Sequence, residues 1–237
     1  MTDLAKLSSE LKKLADKKQA EHLQRFFKTA PGQYGAGDVF LGIKVPIQRQ
    51  IAQKYAFLDL KAIAKLLSNK IHEFRLVGLL ILTTQYQKAQ SQKTKDQLAK
   101  FYLKNTKHIN NWDLVDLSVY KILGDWLLDK KEADRILNRL AASSNLWERR
   151  LAIIATFAFI RRGQADKSIM MAKKLLNDPH DLIHKAVGWT LREVGWRVDR
   201  KILLKFLDEY ASRMPRTALR YALEHLTAGE RKYYLNK

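Results

Sequence analysis

Leu4, Leu7, Leu11 and Leu14 recur at helical spacing among charged and small polar residues, and an apolar period close to 3.6 runs through almost the whole chain. No stretch alternates apolar and polar positions in the way a half-buried strand requires. The pattern predicts an all-α protein. Only Thr29 to Gly42 (TAPGQYGAGDVFLG) departs from it, because Pro31, Gly32, Gly35, Gly37 and Gly42 break any helix. The expected organisation is therefore one domain over 1–237: N-terminal helices in 1–28, an irregular loop in 29–42 and stacked helix pairs in 43–237. The glycines invite comparison with a phosphate-cradling loop. No strand precedes them and no Gly-Lys-Ser/Thr follows, so a structural connector is expected.

Beyond the loop the helical pattern repeats. His72–Leu82, Asn110–Leu123, Leu146–Phe157 and Ile183–Val194 can be laid over one another, and Pro215–Leu226 continues the series. Starts about 35 to 40 residues apart have the spacing of HEAT-like helix pairs, which stack as a solenoid with one helix of each pair on a concave face. The overlay aligns Arg75, Arg150 and Lys185, with Arg216 and Arg220 in the last segment. Cations at repeated positions are expected to form a basic stripe on that face. Each arginine alone has a plainer reading, as a helix-end solvating group.

Charge gives the stripe a partner. Lys and Arg number 44 against 24 Asp and Glu, a formal net charge of +20 in 237 residues. A surplus of this size is best tolerated opposite a polyanion such as DNA, RNA or an acidic membrane surface. The membrane is the weakest of these: the longest apolar run, Leu151–Ile160, falls well short of the roughly 18 to 20 residues needed to span a bilayer. The N-terminal segment reads as an amphipathic surface helix and has no signal-peptide pattern. With no Cys, disulfide scaffolds, zinc ribbons and thiol nucleophiles are excluded, and a soluble, cytoplasmic protein is expected.

Candidate chemistry concentrates in Asn110-Asn111-Trp112-Asp113-Leu114-Val115-Asp116. Asn110 or Asn111 suits an N-cap, and Asp113 suits the first helical turn. Asp116 lacks such an explanation. It follows Trp112 at i, i+4, so indole and carboxylate share a helical face, and its overlay counterpart is the close-packed Gly78. Lys185, Trp189 and Arg192 repeat the theme, an aromatic ring between cations on one face. The plain reading of every Trp, including Trp126, Trp147 and Trp196, is core filling. Arg161 and Arg162 end an apolar helix, where they serve its C-terminal dipole or contact phosphate. His180-Asp181-Leu182-Ile183-His184 imitates a paired-His zinc helix but has no third ligand, so no metal is expected.

Phe40-Leu41-Gly42-Ile43 with Pro46, the NNWDLVD run, Asn145-Leu146-Trp147-Glu148-Arg149-Arg150 and Lys185–Glu193 stand in an order and spacing that resembles the AlkD-like bacterial DNA alkylation-repair glycosylases, from about Phe40 to the end of the chain. The resemblance implies HEAT-like repeats and removal of N3- and N7-alkylated purines, such as 3-methyladenine and 7-methylguanine, from double-stranded DNA without base flipping. It further implies Asp116 as catalytic carboxylate, Trp112 and Trp189 as aromatic walls flanking the lesion's deoxyribose, and Arg150 and Arg192 as backbone-contacting cations. Lys185, Arg149, Arg75, Arg161, Arg162, Lys44 and Arg220 complete the expected DNA-binding set. Two residues depart from the family pattern: Asn111 stands where some members carry a second Trp, and Lys44 where a neutral polar residue occurs.

The residues suit that chemistry independently. A cationic alkylpurine is already a good leaving group, and its loss moves positive charge onto the sugar. One carboxylate can stabilise that charge and orient water, while indole faces add cation–π attraction. No metal or cofactor is required, and a monofunctional, monomeric enzyme is expected. Two other classes compete: a non-catalytic HEAT-repeat protein binding branched or distorted DNA, and a HEAT module for protein or RNA.

Overall fold

The computed structural model describes residues 2–237. Among them there is no strand, only one isolated bridge between Val39 and Ile71, and the protein is all-α. It divides into two compact units, 1–118 and 119–237.

The first unit holds α1 (Asp3–Lys13), α2 (Lys17–Phe26), α3 (Val45–Lys54), α4 (Leu60–Leu67), α5 (His72–Lys88), α6 (Gln92–Lys104) and α7 (Trp112–Val119), whose last residue crosses the division. The helices start where side chains can satisfy orphan backbone N–H groups: Asp16, Asp59 and Ser91 accept from the amides of Gln19, Ala62 and Thr94. In α1, Leu7 and Leu11 are fully buried, while Leu14, which caps its C-terminus, lies at the surface. The core helix is α5, buried from His72 through Thr83 and packed by α3, α4 and α6. An apolar surface all round is what a helix enclosed by three others requires. Gly78 permits this packing, since a Cβ there would lie 3.1 Å from Leu66 Cβ.

The 29–42 loop is a connector, held by the residues at its end. The Glu73 carboxylate, fully buried, accepts from the amides of Leu41 (2.9 Å), Gly42 (2.8 Å) and Ile43 (3.2 Å). The clustered N–H groups at the end of this glycine-rich loop thus hold the protein's own anion. Gly42 is obligatory: its φ is +87° and a Cβ would meet Asp16 O at 2.2 Å.

The second unit opens with a π-helical turn, Tyr120–Gly124, followed by α8 (Asp125–Leu127), α9 (Ala133–Ala141), α10 (Leu146–Ala155), α11 (Phe157–Ile160), α12 (Asp166–Lys174), α13 (Asp181–Arg197), α14 (Arg200–Tyr210), α15 (Arg216–Ala222) and α16 (Ala228–Leu235). Buried α10 packs on α9 and α13, and α13 packs on α12, α14 and α15. Gly188 allows α13 and α15 to approach: an added Cβ would lie 2.3 Å from Ala218 O and 2.5 Å from Tyr221 Cβ. In the two units α5, α7, α10, α13 and α15 begin at 72, 112, 146, 181 and 216, the HEAT-like interval expected from the sequence. No helix among the described residues is long and apolar enough to cross a membrane.

Candidate active site

In the first unit Asn111 is the residue that starts α7. It is fully buried, its Oδ1 accepts from Trp112 N (2.8 Å), and its Nδ2 donates to Asp38 Oδ2 (3.0 Å). Asp113 does more than favour the helix dipole. Its Oδ1 accepts from Leu114 N (2.8 Å) and its Oδ2 lies 2.8 Å from His72 Nε2. Trp112 and Asp116 follow on successive turns, and both are half-buried.

The Trp112 ring is the end of an aromatic stack. It lies on Phe27 (centroids 5.0 Å apart, 17° between planes). Phe27 lies on Phe40 (5.0 Å, 22°), and Phe40 lies on the His72 imidazole (4.6 Å, 25°). Phe26, more than half exposed, meets Trp112 edge-on at 5.9 Å. Near Asp116, the buried Tyr102 hydroxyl shares a 2.8 Å hydrogen bond with Ser118, and burial, with a smaller push from the Asp116 charge, drives its acidity far below that of a free phenol.

His72 is buried between two carboxylates, its Nδ1 3.1 Å from Asp38 and its Nε2 2.8 Å from Asp113. Burial alone disfavours its charged form, but the two anions, Asp113 foremost, outweigh this and raise its pKa to about 9. Burial pushes the Asp38 carboxyl up, yet His72, Arg75 and Asn111 hold it below its ordinary value. Sequence reasoning passed over His72, Asp38 and Phe27. Residues so far apart in the chain carry no joint signal until the loop is folded against α5 and α7.

Several of the expected DNA contacts are engaged within the protein. Arg75 is buried, with Nη2 on Asp38 (2.6 Å) and Nη1 on the carbonyls of Asn69 and Lys70 (3.0 Å each). Arg149 repeats this arrangement. It pairs with Asp178 at 2.6 Å and reaches the carbonyls of Ser143 and Ser144 at 3.2 and 3.0 Å. The capping pattern therefore puts Arg149, not Arg150, in register with Arg75. His184 extends the register, with Nε2 on the Asp178 carbonyl at 2.5 Å. Arg150 is also buried and donates to Leu182 O at 2.7 Å. Arg75 and Arg150 are thus both buried, with partners inside the protein.

Elsewhere in the second unit Lys185 pairs with Asp181 (2.8 Å), and Arg192 pairs with Glu224 and Glu193. Half-buried Trp189 packs edge-on against Phe157 (4.6 Å) and donates from Nε1 to Glu193 (3.2 Å). Arg161 and Arg162 are exposed, and Arg161 lies 4.8 Å from the centre of the Tyr120 ring. Arg220 is exposed as well, as is Lys44 in the first unit. Among the described residues no group of three His, Cys, Asp or Glu side chains is arranged to hold a metal.

A family model described as "DNA alkylation repair enzyme" matches residues 7–226. No curated protein sequence matches the chain. Among solved structures, one titled "Predicted DNA alkylation repair enzyme from Enterococcus faecalis" is similar with a TM-score of 0.69 and 17% identity, covering 90% of this chain and 97% of that one. At that identity the likeness speaks for the fold.

Proposed function

The chain belongs to the DNA alkylation repair enzyme family, and from this premise we propose that it is a monofunctional DNA glycosylase releasing N3- and N7-alkylated purines from duplex DNA. The observation that carries the proposal is the pair of half-buried residues on α7, Trp112 and Asp116, which stand on successive turns with the indole stacked on Phe27.

An alkylated N3 or N7 gives the base a positive charge. Cleavage of the C1′–N bond returns the bonding electrons to the base, which departs neutral and leaves an oxocarbenium-like sugar. Asp116 stabilises that cation and orients the water that adds to C1′, and the water's second proton passes to solvent. The Trp112 face contributes cation–π attraction of about 0.5 to 2 kcal/mol. In the second unit, Trp189 is proposed as an aromatic contact to the DNA. Lys44, Arg161, Arg162 and Arg220 are proposed as phosphate contacts because they are exposed.

The test is release of 7-methylguanine and 3-methyladenine from methylated duplex. Asp116→Asn is expected to abolish release and to bind the duplex within a few-fold of wild type. Release at the wild-type rate by this variant removes Asp116 from the mechanism. Tight binding of branched DNA by a wild-type protein that excises nothing assigns the non-catalytic scaffold instead.

A further inference from the structure

The first unit contains a buried set of charged groups that the excision chemistry does not use. Asp38 from the loop receives Arg75 Nη2, Asn111 Nδ2 and the Nδ1 side of His72, while Asp113 of α7 faces Nε2 of the same imidazole. Two carboxylates, one guanidinium and one imidazolium sum to zero charge, so the set is self-balanced only when His72 is protonated. A neutral imidazole has a single N–H and can serve one carboxylate. The other would then face a ring nitrogen lone pair in a site from which water is excluded. Arg75 Nη2 also stands 3.4 Å from His72 Nδ1 and opposes protonation, which is consistent with its lesser influence beside the two anions.

The set is joined to the α7 face by two routes. Through Asp113 and Asn111 it holds the residues on either side of Trp112 in the sequence. Through Phe40 and Phe27 the imidazole supports the ring of Trp112 itself. His72 N also donates to Val39 O at 2.8 Å, and the neighbouring Glu73 fixes the Leu41–Ile43 amides, so the ring of Phe40 is held by the same helix start.

We propose that His72, clamped between Asp38 and Asp113, is a positioning residue that sets the orientation of Trp112 and, one turn on, of Asp116. Its protonated ring keeps that face in register, and loss of the proton releases it. The groups facing the imidazole are Asp38 of the loop, Arg75 of its own helix, Asn111 and Asp113 at the start of α7, and the rings of Phe27 and Phe40. Asp38 and Asp113 favour its charge and Arg75 opposes it. The inference rests on the glycosylase reading for its catalytic consequence, though its structural part can be read without it.

The experiment uses full-length protein labelled with 5-fluorotryptophan, the Trp112 resonance being assigned by its absence in Trp112→Phe. In wild type this resonance is expected to move with an apparent pKa near 9, and in His72→Gln to show no such step. In parallel, single-turnover release of 7-methylguanine at pH 7.5 is expected to fall at least about tenfold in His72→Gln while duplex affinity stays within about twofold. Asp113→Asn, which removes one anion and keeps the shape, should lower the apparent pKa of the step. A merely structural histidine would lower the melting temperature without shifting the pH profile of the surviving folded protein. A Trp112 resonance that ignores pH between 7 and 10 in folded wild type overturns the proposal. If wild type excises nothing but the resonance still titrates, the glycosylase reading fails and the positioning role stands.

Discussion

Trp112 stacks on Phe27 and meets Phe26 edge-on, and the value of its remaining surface depends on that packing. Replacing it with Ala removes the indole but leaves Phe27 and the His72 cluster in place, so the loss is expected in the chemical step. A cation–π contribution of about 0.5 to 2 kcal/mol corresponds to roughly 2- to 30-fold in single-turnover rate. Trp112→Phe should recover part of this, and an unchanged rate in Trp112→Ala would remove the indole from the mechanism. The arginines divide differently. Arg149 is bound to Asp178 and two loop carbonyls, so Arg149→Ala should cost stability, about 2 kcal/mol, and leave the salt dependence of DNA binding unchanged. Arg162 is exposed, and Arg162→Ala should reduce the magnitude of the logarithmic salt slope by about 1 with no change in melting temperature. Parallel melts and salt titrations of the two variants separate a buried anchor from a phosphate contact. The residue types were legible in the sequence here, but their partners were not. Asp38 and Asp178 lie 37 and 29 positions from the arginines they neutralise, and periodicity says nothing about pairs so distant.

At the scale of helices the sequence carried much more, because an apolar period survives whatever partner finally covers it. The repeat starts, the irregular loop and the close-packed Gly78 were all readable from spacing. The overlay register was not, since adjacent Arg149 and Arg150 fit one alignment equally well until loop carbonyls distinguish them. Counted from their N-terminal caps, Asn111, Asn145 and His180, the residues Asp116, Arg150 and Lys185 share a position. An anion on α7 thus stands where α10 and α13 carry cations. Helix contacts also set the cost of change. Gly188→Ala drives a Cβ into the Ala218 carbonyl and the Tyr221 side chain, and overpacking of this kind typically costs about 1 to 3 kcal/mol. Thermal unfolding should detect it, and a melting temperature equal to wild type would mean that α13 and α15 separate without penalty. Glu73→Gln should destabilise the loop by a similar amount, about 1 to 3 kcal/mol, because an amide NH2 is brought among three N–H donors. Its expected signature is earlier proteolysis within 29–42.

For the whole molecule, pH and salt act on different parts of the charge. His72 has a folded pKa of about 9, above its ordinary value of 6.5, so the stability it contributes is complete below about pH 6.5 and is lost as pH rises through about 9. Asp38, held below its ordinary value, contributes in the opposite direction, and its share is lost as pH falls through that depressed value. The melting temperature of wild type should therefore decline between pH 7 and 9.5 more than that of His72→Gln. Salt acts instead on the surface excess within the net charge of +20. A protein that neutralises about six phosphates releases their counterions, and its affinity should fall by roughly 10³-fold between 50 and 200 mM salt. Buried ion pairs such as Arg75–Asp38 are shielded from added ions, so melting temperature should change little over the same range. A steep loss of duplex binding alongside a nearly constant melting temperature is the expected outcome of filter-binding and calorimetric titrations. A flat binding curve with DNA would point instead to a HEAT module for protein or RNA.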